Sequence, residues 1–268
     1  MAIARSKGGR AADLCGVQPL SKGVDAQSVT AAMIVRHDGD TFLLITQPDH
    51  AQLAETLVSA ILTEPPLAGP ARRTILLATR EHDNGWIEVD ALPMVDRSTG
   101  RPCDFMSGAA PLKHELWLRG VARAAKADPL AGALIAEHAV TVYGYRRADP
   151  AWASFFSTIA SLRDALLQRI GFTDRAVFDA YYRCVRLGDL FSLQFCNGWT
   201  DPSNTFGYRA EMQGQSLLIR PDPFAGATVD LRVVGRRIPA RRYEDDARVR
   251  GAIAAATPEI VTGTARGM

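Results

Sequence analysis

A histidine followed at once by an aspartate closes an apolar helical run in Leu76-Leu77-Ala78-Thr79-Arg80-Glu81-His82-Asp83-Asn84-Gly85-Trp86. An imidazole nitrogen and a carboxylate oxygen together suit a first-row divalent metal, and a carboxylate can bridge two such ions. Neighbouring residues on a helix point about 100° apart, so both can reach one ion only near a helix end, where the backbone can turn. Gly85 is read as supplying that freedom. The other His-Asp pair, His37-Asp38, precedes Gly39 and reads as part of a hairpin turn.

The remaining histidines give the pair its company. The chain has five, and His50, His82, His114 and His138 fall on successive segments of helical periodicity. Separate helices of one bundle can aim such side chains at a common centre. Asp189 sits in Val185-Arg186-Leu187-Gly188-Asp189-Leu190-Phe191, where a carboxylate in an otherwise apolar helix needs a partner. Any one of these histidines alone reads more readily as a surface or hydrogen-bonded core residue; taken jointly with the two aspartates they read as a metal site. Trp86, Trp117 and Trp199 read as core or pocket-wall aromatics.

The elements that must position these residues follow from periodicity. Met33 to Val35 and Phe42 to Ile45 flank Asp38-Gly39 as strand, turn, strand. Asp49 is placed to cap a helix with apolar residues Leu53, Leu57, Val58 and Ile61, which puts His50 in its first turn. Pro65, Pro66 and Pro70 end it, and Ala71 to Glu81 forms the next helix. Residues 86 to 111 are rich in Pro, Gly and Asp and read as a long irregular crossing that covers the site. Helices are expected over Leu112 to Ala127, Pro129 to Arg146, Pro150 to Ile170 and Thr173 to Phe195. After Asn197-Gly198 the signal turns to strands at Ser216 to Ile219 and Val229 to Val234, with a last helix near Asp245 to Ala255. Residues 1–29 lack periodicity and read as a loosely held arm, followed by a single domain over 30–268 with its metal-binding core at about 45–197 and its C-terminal strands and helix at 205–260.

Composition bounds the alternatives. With 268 residues, 47% hydrophobic and 22% charged, the chain can bury one sizeable core. A net charge of +2 and the absence of a dense basic run argue against a nucleic-acid polymer as partner. Cys15, Cys103, Cys184 and Cys196 show no paired metal-site or redox spacing, so reduced structural thiols in a cytoplasmic protein are expected. No run of about 18 apolar residues or secretory leader is found, so no membrane association is expected.

The order His50, His82-Asp83, His114, His138, Asp189, with the flanks His50-Ala51-Gln52-Leu53-Ala54 and Leu187-Gly188-Asp189-Leu190-Phe191-Ser192, resembles the HD-domain superfamily of helical metalloenzymes, over residues 45 to 197. Within it, the chain looks like a bacterial HD-like group classed as a domain of unknown function. The resemblance implies a mainly α HD-domain-like bundle with small β additions at both ends, which are expected to pair with each other. It implies that His50, His82, Asp83 and Asp189 hold one ion, that His114 and His138 complete a second site, and that Asp83 bridges. The ions would be two of Fe, Mn, Co or Zn.

Catalysis would centre on His82 and Asp83, and the implied function is hydrolysis of a small phosphate ester, since a dinuclear site can activate water near neutral pH and clamp phosphoryl oxygens. The same ligand order resembles di-iron oxygenases that cleave C–C or C–P bonds with dioxygen, and a non-catalytic module that senses a nucleotide or binds a partner is a third reading. Many HD hydrolases continue the pair as His-Asp-x-Gly-Lys, whereas Trp86 stands here in the lysine's place; Arg80, Lys113 or Arg119 would then supply the cation.

Overall fold

The computed structural model describes residues 33–107 and 110–268; the expected N-terminal arm and Cys15 lie outside them. The chain opens on a hairpin of β1 (Ile34–Asp38) and β2 (Thr41–Ile45), whose two-residue turn starts at Gly39 with φ +64°. Thr46 then caps α1 (Gln47–Ala60): its hydroxyl accepts from the Asp49 backbone N–H and donates to the Asp49 carboxylate. The cap is therefore Thr46 rather than Asp49, which sits three residues inside and takes the Thr46 hydroxyl hydrogen on its carboxylate. His50 follows, fully buried.

α2 (Arg72–Glu81) carries His82 at its C-cap, and Asp83 leaves helical geometry at φ −107° and ψ 18°. The crossing after it includes a one-turn helix, α3 (Ile87–Asp90), and an isolated bridge between Val95 and Pro102. Four longer helices follow: α4 (Ala110–Ala127), α5 (Pro129–Val142), α6 (Ala153–Arg169) and α7 (Arg175–Asn197). Gly198 ends α7 at φ 64°.

The C-terminal part departs from a mainly α bundle. β3 (Ser203–Thr205), β4 (Tyr208–Gln213), β5 (Ser216–Arg220), β6 (Thr228–Pro239), α8 (Asp246–Ala255) and β7 (Pro258–Gly267) complete the chain. The seven strands form one sheet in the order β1-β2-β6-β7-β5-β4-β3. All neighbours are antiparallel except β5 and β7. The fold is therefore mixed α/β, which corrects the expected helical bundle with small β additions. The two ends do meet, Phe42 standing opposite Ile238, but in a continuous sheet that forms a second layer.

The sheet matters to the site because it backs the helices that carry it. α1 packs on β6 and α2, while α7 packs on α1, α2 and β4. Two glycines allow close approach. A Cβ on Gly263 in β7 would lie 2.5 Å from the Phe195 ring near the end of α7. One on Gly188 would lie 2.5 Å from Val58 Cγ2 and 2.9 Å from Thr79 Cγ2, so α7 meets α1 and α2 backbone-close beside Asp189. Leu53, Leu57, Val58, Ile75, Val185 and Leu187 fill the seam around that contact, each contributing on the order of 1.5–3 kcal/mol by leaving water.

Gly85 plays a similar part rather than the one expected of it. Its backbone stays out of the left-handed region, but a Cβ there would lie 2.2 Å from the Leu116 carbonyl oxygen. It is the crossing of α4 over the His-Asp turn that requires glycine at this position. Among the described residues no helix is long and apolar enough to cross a membrane, and Cys103, Cys184 and Cys196 are buried free thiols.

Candidate metal centre

Three helices bring four side chains to one point. His50 comes from the first turn of α1, His82 and Asp83 from the end of α2, and Asp189 from the middle of α7. His50 Nε2 lies 3.2 Å from His82 Nε2 and 3.1 Å from Asp83 Oδ2. His82 Nε2 lies 3.2 Å from Asp83 Oδ2 and 3.5 Å from Asp189 Oδ1, and His50 Nε2 lies 3.8 Å from Asp189 Oδ1. All four residues are buried.

The partners of the far ring nitrogens fix the protons. His82 Nδ1 is 2.7 Å from the Thr79 carbonyl oxygen, which can only accept, so Nδ1 carries the hydrogen. Ser192 donates its hydroxyl hydrogen to the Asp189 carbonyl at 3.0 Å and so accepts from His50 Nδ1 at 2.8 Å. When the rings are neutral, both Nε2 atoms therefore present lone pairs, facing each other and two carboxylates. In that state four electron-rich atoms converge with no donor between them, an arrangement that needs a proton or a metal ion at its centre. Ring nitrogens tied by a carbonyl or hydroxyl on the far side are how metal-ligating histidines are commonly oriented.

The electrostatics agree. Burial works against a charged His82, yet Asp83 and Asp189 raise its pKa well above the ordinary histidine value. Burial would likewise raise both carboxyls, but His82 and His50 hold Asp83, and His82, His138 and Arg186 hold Asp189, well below the usual carboxylate range. Positive charge is favoured here, whether as a proton on His82 or as a metal ion. Donor separations of 3.1–3.8 Å are those expected around one ion with bonds of roughly 2.0–2.2 Å, so the residues fit a divalent transition metal.

His138, on α5, stands at the edge of this group. Its Nε2 is 3.6 Å from Asp189 Oδ2, and its Nδ1 is 3.3 Å from the Tyr182 hydroxyl. Burial pushes its pKa down to about 3. His82, His138 and Asp189 form a second potential metal triad that overlaps the triad of His50, His82 and Asp83. The two triads share His82. The other oxygen of the would-be second site, Asp189 Oδ2, already accepts a hydrogen bond from Arg186.

His114 does not join either triad. Its ring stacks on Phe155 at 4.7 Å and meets Trp152 edge-on at 4.6 Å, and its buried Nε2 has no hydrogen-bond partner. Arg80 is an exposed residue paired with Glu81 and Glu55, and Arg119 pairs with Glu88. Arg80 lines a larger groove of about 950 Å³ on the outer side of α2, to which no member of the His/Asp cluster contributes. Volume does not identify the reactive site here.

The cluster opens instead into a cleft of about 260 Å³, lined in part by Asp83, Asp189, His138, Trp86, Lys113 and Arg186. Phe105 and Met106 bring the crossing to its wall. Lys113 is buried, its ammonium donating to the Met106 carbonyl at 2.9 Å and lying 5.7 Å from the Tyr143 ring centre. Burial, with the nearby Arg146 charge, lowers its pKa against the pull of Asp104, and among the described residues it forms no ion pair. Arg186 and Ser192 were not singled out in the sequence. Their signal is spacing, since each lies three residues from Asp189 and so shares its helix face.

A family model described as "Protein of unknown function (DUF3891)" matches residues 33–240, and the chain belongs to that family. No curated protein and no solved structure matches the chain. The family description does not name the HD-domain superfamily, and the likeness to it rests on the site residues.

Proposed function

We propose that the chain is a metal-dependent hydrolase of a small phosphate ester, with one ion held by His50, His82, Asp83 and Asp189. The observation that carries this reading is Lys113: a buried ammonium that among the described residues makes no ion pair, the Asp104 carboxylate acting on it only at a distance, and that faces the same cleft as the four-donor cluster. Buried charges are normally paired, so this one is set to meet an anion that arrives with the substrate. Lys113 would supply from α4 the cation that Trp86 does not supply after the His-Asp pair.

A divalent ion at the cluster would activate water and withdraw charge from a phosphoryl oxygen. The chain's own residues do the rest. Lys113 and Arg186 neutralise the phosphate, and Arg186 also holds Asp189 ionised and in place. Ser192 and Thr79 fix the ring orientations of His50 and His82. Trp86 and Trp117 exclude water from one wall. The dioxygen-dependent alternative calls for two irons; His114, set among aromatic rings, is not placed to ligate the second, whose donors would be His138 and Asp189 with a shared His82.

The test is to strip metal from the full chain, reload it anaerobically with manganese, and assay a panel of phosphate monoesters and diesters. Phosphate-ester cleavage that depends on the ion and not on oxygen is expected. Turnover that appears only with iron and only after air is admitted would overturn the reading.

A further inference from the structure

We propose, resting on the hydrolase reading, that the ester carries a compact apolar or aromatic group, and that it is neither a sugar phosphate nor a nucleotide. The cleft is divided by polarity. Asp83, Asp189, Lys113 and the neutral His138 are all at least nine-tenths buried and Arg186 is half-buried, whereas the rim is built from Met106, Tyr145 and Trp199, exposed by 66%, 72% and 40%. These three come from separate parts of the chain: the crossing, the turn after α5 and the segment after α7. Large apolar side chains left in water at one mouth, over a charged floor, mark a place where an apolar ligand surface is covered.

The wall between floor and rim argues the same way. Trp86, Trp117, Tyr143, Leu190 and Leu193 present rings and aliphatic chains, and Gln47 is the one amide side chain in the lining. Sugar hydroxyls or the polar edge of a nucleobase would be taken from water against surfaces that return few hydrogen bonds, which costs binding energy. A phenyl or short branched alkyl group loses nothing by the same transfer and gains contact with the rings. At about 260 Å³ the space lies below the roughly 300–1,000 Å³ typical of drug-sized ligands, which suits a head group and one ring. Lys113 and Arg186 beside the ion favour a doubly charged monoester head.

The experiment measures binding, separately from turnover, using non-hydrolysable probes on the full metal-loaded chain. Calorimetry and quenching of the tryptophan fluorescence are followed with phenylphosphonate, methylphosphonate and the phosphonate isostere of ribose 5-phosphate, in which a methylene replaces the ester oxygen. Phenylphosphonate is expected to bind about tenfold more tightly than methylphosphonate, to quench, and to lose that advantage in Trp199→Ala and Tyr145→Ala. Both substitutions are at exposed rim positions, and retained methylphosphonate affinity shows that the variants are folded. Equal affinity for phenylphosphonate and methylphosphonate, or tighter binding of the ribose 5-phosphate isostere, would overturn the substrate class and leave the hydrolase standing. Binding of no phosphorus anion at all would remove both.

Discussion

His138 and His114 lie on neighbouring helices, both buried in whole or part, and both belong to the ligand order of the resemblance, yet they have opposite surroundings. His138 faces Asp189 across 3.6 Å, while His114 is stacked on Phe155 beside Trp152. The difference is one of helical phase. On α4 the face turned to the cleft carries Lys113 and Trp117, four residues apart. His114, one position on, is rotated by about 100° toward α6. Order along a chain can suggest that a ligand exists; rotation about the helix axis decides whether it arrives.

The carboxylates repeat the contrast. Asp83 and Asp189 are buried among imidazoles and a guanidinium and stay ionised. Asp90, also buried, accepts the Gln47 backbone N–H through Oδ2 at 2.7 Å, but its Oδ1 is unsatisfied, and burial pushes its pKa up to about 7. Company rather than burial sets the state of each group.

This contrast can be broken at several points, beginning with the largest effect. Asp83→Ala should abolish retention of metal, because it removes an anionic donor at the centre of the cluster; full occupancy by elemental analysis in that variant would refute the site.

The carboxylate contrast predicts a stability slope. Asp90 binds its proton more tightly in the folded chain than in the unfolded one, so its contribution is fully present below pH 3.8 and is lost as pH rises through about 7. The loss is at most about 4 kcal/mol. Asp83 and Asp189, with lowered pKa values, act in the opposite sense and only below the usual carboxylate range. His138, held neutral by burial, acts in the opposite sense over the same range, so the measure is a difference: in denaturant titrations in chelator between pH 4 and 7, the wild type should lose stability relative to Asp90→Asn as pH rises; a difference that stays constant with pH would put the effect elsewhere.

Ser192→Ala takes away the hydroxyl that orients His50. A loss of roughly 10–100-fold in metal affinity is expected, as for other outer partners of ligating histidines, measured by competition with a chelator. The smallest effect is the sharpest test of the comparison: His114→Phe should leave metal affinity unchanged, whereas His138→Ala should lower it. Equal losses in the two would mean that both histidines serve the ion.

Much of the site was legible because its signals are local. A His-Asp pair at a helix end and an aspartate in an apolar helix are visible in a few residues, and the helix bounds follow from caps and prolines. The cation at Lys113 was among the residues named, although Arg80 and Arg119, named with it, lie in other ion pairs. Of the sheet, β1, β2, β5 and β6 were legible as strands, but β3, β4 and β7, and so its full extent, were not, for a physical reason. β7 runs as Pro-Glu-Ile-Val-Thr-Gly-Thr-Ala-Arg-Gly, without a clean apolar face, because it lies between β6 and β5 and needs Gly263 where Phe195 presses on it. β4 alternates charged residues with Ala210 and Met212 over a stretch too short to distinguish from loop. Their pairing is decided by distant partners, which periodicity does not read.

The central claim is that one ion is held by His50, His82, Asp83 and Asp189. Crystals of protein purified without chelator, measured at the absorption edge of the metal found by elemental analysis, test it directly. The account predicts a single anomalous peak per chain at roughly 2.0–2.3 Å from His50 Nε2, His82 Nε2 and both carboxylates. A metal-free cluster with His82 protonated between the carboxylates, or a peak placed at His114, would contradict it.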